Sequence, residues 1–450
     1  MLIDRENIAG LASLPEPSEA DVLLVLKSAS KAKGLSLEEA AILLASREPG
    51  LAGLLSRRAA EVKEKVFGKR IVLFAPLYLS NHCTNGCRYC GFRGGSGGVA
   101  RKALSADEAV REAKALEAMG FKRVLLVTGE DPRWGLDYIV SCVRAIYERT
   151  GMRIVHVNAP PMDTGPLREL KAAGAGVYQS FQETYHRPTY EEMHPFGRKK
   201  DYHFRLDVMD RAMEAGFGDV GIGPLLGLYD YRFDALATIA HSLHLYEKFG
   251  AHAHTISIPR LRPAEDGLKE VPVRVSDQEL KKIVAVFRLS VPSAGIVAST
   301  REPAGLRAEL IHTGATQLSA ASRTSPGGYA GKEASLEQFS TTDHRGLAEV
   351  IKSVVDEGLL PSLCTACYRT GRTGGDFTGR TIAGEMEKFC QANAVLTLKE
   401  YLLDSCTNGT KESIERAVDK GLAGVADQGF KKALVEKLDA LEKGERDQYF

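Results

Sequence analysis

The chain has 450 residues, with 59 basic against 58 acidic side chains, a net charge of +1 and 44% hydrophobic residues. So even a balance gives no field for holding nucleic acid or an anionic membrane surface, and a small-molecule substrate is the default expectation. The first residues carry no secretory signal and no apolar run approaches membrane-spanning length, so a cytoplasmic protein is expected.

Helical patterning comes first, over 19–33, 36–47 and 51–67, and predicts an N-terminal helical extension over 1–68. Ser18 and Ser36 stand at N-cap positions. Ser36-Leu37-Glu38-Glu39 has the Ser-x-x-Glu form in which cap and third residue satisfy each other's free backbone N–H groups. From residue 71 the texture changes to short apolar or β-branched runs, predicting strands at 71–79, 123–128, 153–157, 176–181, 219–224, 254–258, 295–299 and 316–320. Between and after them lie helical patterns near 105–119, 135–150, 165–173, 200–216, 232–249, 276–290, 301–312 and 344–357. This alternation predicts an α/β fold, a (β/α)8 TIM-type barrel over 69–358, although an open doubly wound sheet alternates in the same way. Past Pro361 the pattern stops, and a Gly- and Thr-rich stretch leads to charged helical segments such as 429–443. A smaller, mainly helical C-terminal domain over 359–450 is expected.

Barrel enzymes place their chemistry on loops at the carboxyl ends of strands. Those positions hold Thr128-Gly129-Glu130-Asp131, Gln182-Glu183-Thr184-Tyr185-His186-Arg187 and Ser322-Arg323-Thr324. The first strand delivers Asn-His-Cys-Thr-Asn-Gly-Cys-Arg-Tyr-Cys, with Cys83, Cys87 and Cys90 at x3 and x2 spacing. Three thiolates ligate three irons of a cubic 4Fe-4S cluster and leave the fourth open to an exogenous ligand. Structural zinc, the competing reading, wants four closed ligands. The glycine-rich Gly94-Gly95-Ser96-Gly97-Gly98 lacks the Gly-Lys-Ser/Thr of a phosphate loop and is expected to be a flexible connection.

Cys364, Cys367 and Cys390 repeat the theme as Cys-x2-Cys-x22-Cys, again three thiolates; zinc with Cys406 as a fourth ligand is the alternative. Six of the eight cysteines thus sit in two tight groups, which fits metal ligation in a reducing compartment, while Cys142 and Cys406 are isolated.

The first triad and Tyr89 resemble the radical S-adenosylmethionine (SAM) superfamily. With the second triad, Tyr178-Gln179-Ser180-Phe181-Gln182-Glu183-Thr184-Tyr185, His254-Thr255-Ile256-Ser257-Ile258-Pro259-Arg260 and the terminal Asp447-Gln448-Tyr449-Phe450, the chain resembles the HydG family of FeFe-hydrogenase maturation tyrosine lyases. The resemblance implies a SAM-binding 4Fe-4S cluster on Cys83, Cys87 and Cys90, with Tyr89, Glu130 and Arg187 toward SAM. It also implies an auxiliary 4Fe-4S cluster on Cys364, Cys367 and Cys390, bearing an additional iron held by free L-cysteine and by His254. L-tyrosine would be cleaved at Cα–Cβ to p-cresol and dehydroglycine, then carbon monoxide and cyanide, giving an Fe(CO)2(CN) synthon for other hydrogenase maturases. An electron donor is a further implied partner. Ser322 and Arg323 are the candidates for the tyrosine carboxylate.

Plain structural roles compete at several positions: a helix N-terminal acid for Glu130, a solvated loop arginine for Arg187, a surface ion pair for Arg323 and a core histidine for His254. His252, two residues from His254, would share its strand face. A thiazole-pathway tyrosine lyase stopping at dehydroglycine, and a non-catalytic iron-sulfur scaffold, are the rival functions.

Overall fold

The computed structural model describes residues 3–96, 100–264, 266–331, 337–406 and 408–450. Gly97 and Gly98 of the glycine-rich connection lie outside them. Eight parallel strands close into a barrel: β1 (Arg70–Ser80), β2 (Arg123–Thr128), β3 (Ile154–Asn158), β4 (Ala175–Gln179), β5 (Asp219–Ile222), β6 (Thr255–Ser257), β7 (Gly295–Ala298) and β8 (Gln317–Ser319). Closure runs through β1, which pairs with β8 over Val72 to Phe74 and with β2 over Ala75 to Ser80. That double pairing excludes the open sheet.

All eight predicted strands form. They read as short, nearly continuous apolar runs because both faces of a barrel strand are covered, one by the interior and one by helices. Ser18 and Ser36 cap helices Glu19–Ala29 and Leu37–Ala45. Ser36 with Glu39, Ser105 with Glu108 and Ser276 with Glu279 each form the reciprocal cap. The segment expected as one helix over 200–216 is instead two, Tyr202–Leu206 and Val208–Glu214. Among the helices not legible in the sequence are Arg5–Ala12 and Arg187–Met193.

A ninth strand, β9 (Leu360–Ser362), lies parallel to the first residues of β1, with Arg70 opposite Leu360 and Val72 opposite Ser362. It carries residues 363 onward beneath the barrel, to the end where strands begin. Helix Met386–Asp404 packs against β9 and against the N-terminal helix Pro49–Phe67, and its residues from Cys390 to Leu398 are all buried. A helix buried on every side, with Gln391, Asn393 and Thr397 among its buried residues, has no amphipathic stripe to signal it, which is why its period was not visible in the sequence.

Two inward-facing glycines keep the barrel lumen open. A Cβ on Gly221 would sit 2.6 Å from both Gln179 Cγ and Thr255 Oγ1, and one on Gly295 would sit 2.2 Å from Gln317 Nε2.

Candidate functional site

The barrel holds two cavities at opposite ends. The larger, about 240 Å³, is lined at the strand-exit end by Cys83, Cys87 and Cys90 together with the last residues of strands, such as Thr128, Gln179 and Ser319. The smaller, about 40 Å³, is lined by Cys364, Cys367 and Cys390 together with the first residues of strands, such as Arg70, Arg123, Gly295 and Gln317. Arg123, Gln317 and Tyr368 border both. Strand β2 gives the scale. At its exit, Gly129 approaches Cys83 so closely that a Cβ there would sit 3.2 Å from the cysteine's Cβ; at its start, the Arg123 guanidinium donates to the Cys364 carbonyl. Six residues at about 3.3 Å each put the triads on the order of 20 Å apart.

Backbone bonds fix the upper triad. Gly129 N donates to Ser80 O (2.9 Å) and Thr84 N to Glu130 O (2.8 Å), so the cysteine loop is tied to the exit of β2. Burial pushes the Cys87 thiol up to about 11 and the Cys90 thiol up to about 12, with neighbouring thiols adding to the effect. Burial of this kind makes a thiol a poor nucleophile, and a metal ligand has to lose its proton on binding. Among the described residues no three His, Cys, Asp or Glu side chains converge as ligands of one metal ion. A cubane spreads its cysteine ligands over separate corners. Three thiols around one cavity fit the cluster.

Glu130 is buried in this cavity. Its Oε2 accepts from Asn85 Nδ2 at 2.7 Å and lies 3.4 Å from Arg205 Nη2. It is not the cap of the following helix, which starts at Leu136. Tyr89 lines the cavity beside Cys90, its hydroxyl 2.7 Å from His194 Nε2 and the Lys199 ammonium 5.5 Å from its ring centre. Lys199 Nζ also donates to Glu183 Oε1 at 2.6 Å. Glu183 has φ 71, a left-handed conformation that a glutamate adopts only when its surroundings over-determine it.

Arg187 is not part of this group. It opens the unexpected helix Arg187–Met193, and its Nε pairs with Glu191 one turn on, at 2.7 Å, on the exposed face. A buried cation that does face the cavity near Glu130 is Arg205, which also donates to Ser180 Oγ at 2.9 Å. Arg323 is likewise exposed, because Ala321 turns the chain through φ 51 directly after β8. Ser322 remains buried on the cavity wall, its Oγ without a partner. The arginine lining that side is Arg301, stacked 3.4 Å from the Phe339 ring centre. Arg205 and Arg301 were missed; the one trace of Arg205 was an arginine between the buried apolar positions Tyr202 and Leu206.

In the lower cavity, burial and then the neighbouring cysteines push the Cys367 thiol up to about 12. Cys390 comes from helix Met386–Asp404, while Cys364 and Cys367 flank the start of the short helix Ala366–Arg369. Cys406 does not line the cavity and lies 3.2 Å from Thr410 Oγ1, and Cys142 is buried in helix Leu136–Arg149. His254 lines the cavity from the residue before β6, so it stands at the start of the sixth strand and not at its end. Its Nδ1 is 3.2 Å from Asp219 Oδ1, and its Nε2 is 2.9 Å from the Tyr368 hydroxyl. For Nε2 to ligate a metal, that hydroxyl has to move aside. His252 points elsewhere, stacked on Tyr246 at 4.4 Å.

Residues 77–240 match the Radical SAM superfamily model, and residues 257–360 match the Biotin and Thiamin Synthesis associated domain. The 2-iminoacetate synthase of Escherichia coli (strain K12) is 34% identical over 338 residues, 75% of this chain and 89% of that protein. A crystal structure of HydG, a maturase of the FeFe-hydrogenase, is 43% identical with a TM-score of 0.96, covering 100% of both chains. The chain belongs to the HydG family of radical SAM proteins. HydG from Carboxydothermus hydrogenoformans is also similar, at 38% identity and a TM-score of 0.85 over 97% of this chain and 100% of that one. Membership in the HydG family brings with it a 4Fe-4S cluster and SAM, and a maturase fold in which no described helix is long and apolar enough to cross a membrane.

Proposed function

We propose that the chain is a radical SAM L-tyrosine lyase of FeFe-hydrogenase maturation. It would cleave Cα–Cβ to give p-cresol and dehydroglycine, and convert the fragment to carbon monoxide and cyanide at an auxiliary cluster. The observation that carries this reading is the pair of cysteine-lined cavities at opposite ends of one barrel, with Arg123, Gln317 and Tyr368 as shared walls. A lyase stopping at dehydroglycine needs only the upper cavity. The whole-chain match to HydG, against 75% of the chain for the 2-iminoacetate synthase, supports the two-part reading as well.

In the upper cavity Cys83, Cys87 and Cys90 would hold the 4Fe-4S cluster, and Glu130 would take the SAM ammonium, a carboxylate already desolvated for that contact. Arg205 replaces Arg187 as the cation for the SAM carboxylate, and Tyr89 would border the adenine. When bound, the cluster and SAM supply a 5'-deoxyadenosyl radical. Ser322 and Arg301, in place of Arg323, would grip the tyrosine carboxylate, the planar guanidinium matching its two oxygens. The apolar walls Phe74, Leu125 and Val127 exclude water from the site.

In the lower cavity Cys364, Cys367 and Cys390 would hold the auxiliary 4Fe-4S cluster, and His254, whose Nδ1 lies near Asp219, would hold the additional iron with free L-cysteine. The products leave as an Fe(CO)2(CN) synthon for other maturases.

Incubation of the anaerobically reconstituted, reduced protein with tyrosine and SAM tests the reading: p-cresol and 5'-deoxyadenosine should appear together. A scaffold that only carries clusters makes neither. Arg205→Gln should weaken SAM binding by about 10- to 100-fold, the worth of one charge-assisted hydrogen bond in a dry site, while Arg187→Gln binds SAM as wild type does. Equal effects of the two would reject the reassignment.

A further inference from the structure

Arg123 is 5% exposed, borders both cavities and has no carboxylate partner. Its guanidinium donates to the Cys364 carbonyl, its Nε finds no acceptor, and its Cζ lies 5.6 Å from the centre of the Tyr368 ring. Among the described residues, the carboxylates lining either cavity are Glu130 and Glu183, both at the strand-exit end and each already paired with a cation. Burying a guanidinium without an anion is costly, and a fork of N–H donors on the wall that the two cavities share, the neck of the barrel, matches a planar carboxylate.

His156 stands beside it. Its Nδ1 accepts from Val177 N at 3.1 Å, which puts the ring proton on Nε2, and that N–H is buried without an acceptor. The imidazole lies 4.8 Å from the Tyr368 ring and lines the upper cavity. Arg70, the other arginine of the lower cavity, also lacks a carboxylate and faces the second thiol set, so Arg123 is not needed there as the sole counter-charge.

We infer that Arg123, with His156, forms an anion subsite at the neck of the barrel that binds the carboxylate of a two-carbon 2-imino or 2-oxo acid on its way between the cavities. The inference rests on the proposed function for the identity of the acid, but binding at the neck does not require turnover. The subsite holds the fragment by its charge while its other end remains free to move toward the lower thiols.

The test uses the oxidised holoenzyme saturated with SAM and tyrosine, which fills the upper cavity without reaction, and titrates glyoxylate, the stable oxo analogue, by calorimetry. Wild type should bind it, Arg123→Gln at least about tenfold more weakly, and Arg123→Lys, which keeps the charge but loses the fork, between the two. Under turnover, carbon monoxide formed per p-cresol should fall at least about tenfold in Arg123→Gln, with glyoxylate released to solution in its place. Wild-type glyoxylate affinity in both variants, or an unchanged product ratio, overturns the subsite. Failure of wild type to form any p-cresol would instead strike the proposed function, and the titration would still decide the subsite. Should the glutamine variant not fold, the lysine variant carries both readouts.

Discussion

Replacing Cys364 and Cys367 together by alanine is expected to abolish carbon monoxide release while leaving p-cresol formation detectable. The two thiols line only the lower cavity, on the order of 20 Å from the upper triad along β2. Neither touches Glu130, Arg205 or the Tyr89 pair, so the upper site keeps its geometry. Fragment that reaches the lower end would find no cluster and leave as glyoxylate. Because both positions lie in a packed region beneath β9, the serine pair is the check on folding: it should behave as the alanine pair does. Loss of p-cresol and carbon monoxide in equal measure, in a protein that melts like wild type, would contradict the division of labour.

The second large effect is expected at Cys83. Cys83→Ala removes one of three ligands from the upper triad, and 5'-deoxyadenosine formation should fall by about 10³-fold or more, because the redox step has no substitute elsewhere in the chain. Both downstream products vanish with it. The iron of the lower site should be retained, since Cys364, Cys367 and Cys390 are held by β9 and helix Met386–Asp404 independently of the upper loop. Residual SAM cleavage near the wild-type rate would remove Cys83 from the ligand set.

The barrel was legible in the sequence because its strands are two-sided apolar runs and its helices are amphipathic, so both periods were written in the residues themselves. The cysteine spacings were legible for a related reason: ligands close in sequence stay close in space. What sequence could not convey was orientation. Arg187 and Arg323 lie in the right loops, yet one is turned outward by an unforeseen helix and the other by a left-handed residue at Ala321. Two cations that do face the cavity, Arg205 and Arg301, come from segments distant in sequence that the fold brings together. His254 illustrates the same limit along the barrel axis. His254 opens its predicted strand, 254–258, and lies just before the observed one, so it stands at the end of the barrel where strands begin and faces the second thiol set. The strand β9 that makes this second site possible is three residues long and carried no signal of its own.

The central claim is that one barrel carries a separate cluster at each end. An iron and acid-labile sulfide count on anaerobically reconstituted protein, with spectra taken before and after L-cysteine is added, addresses it most directly. About eight or nine irons per chain are expected, falling by about half in the Cys364→Ala/Cys367→Ala protein, with added cysteine altering the wild-type spectrum alone. About four irons in both proteins, or zinc recovered with the lower thiols, would contradict the account.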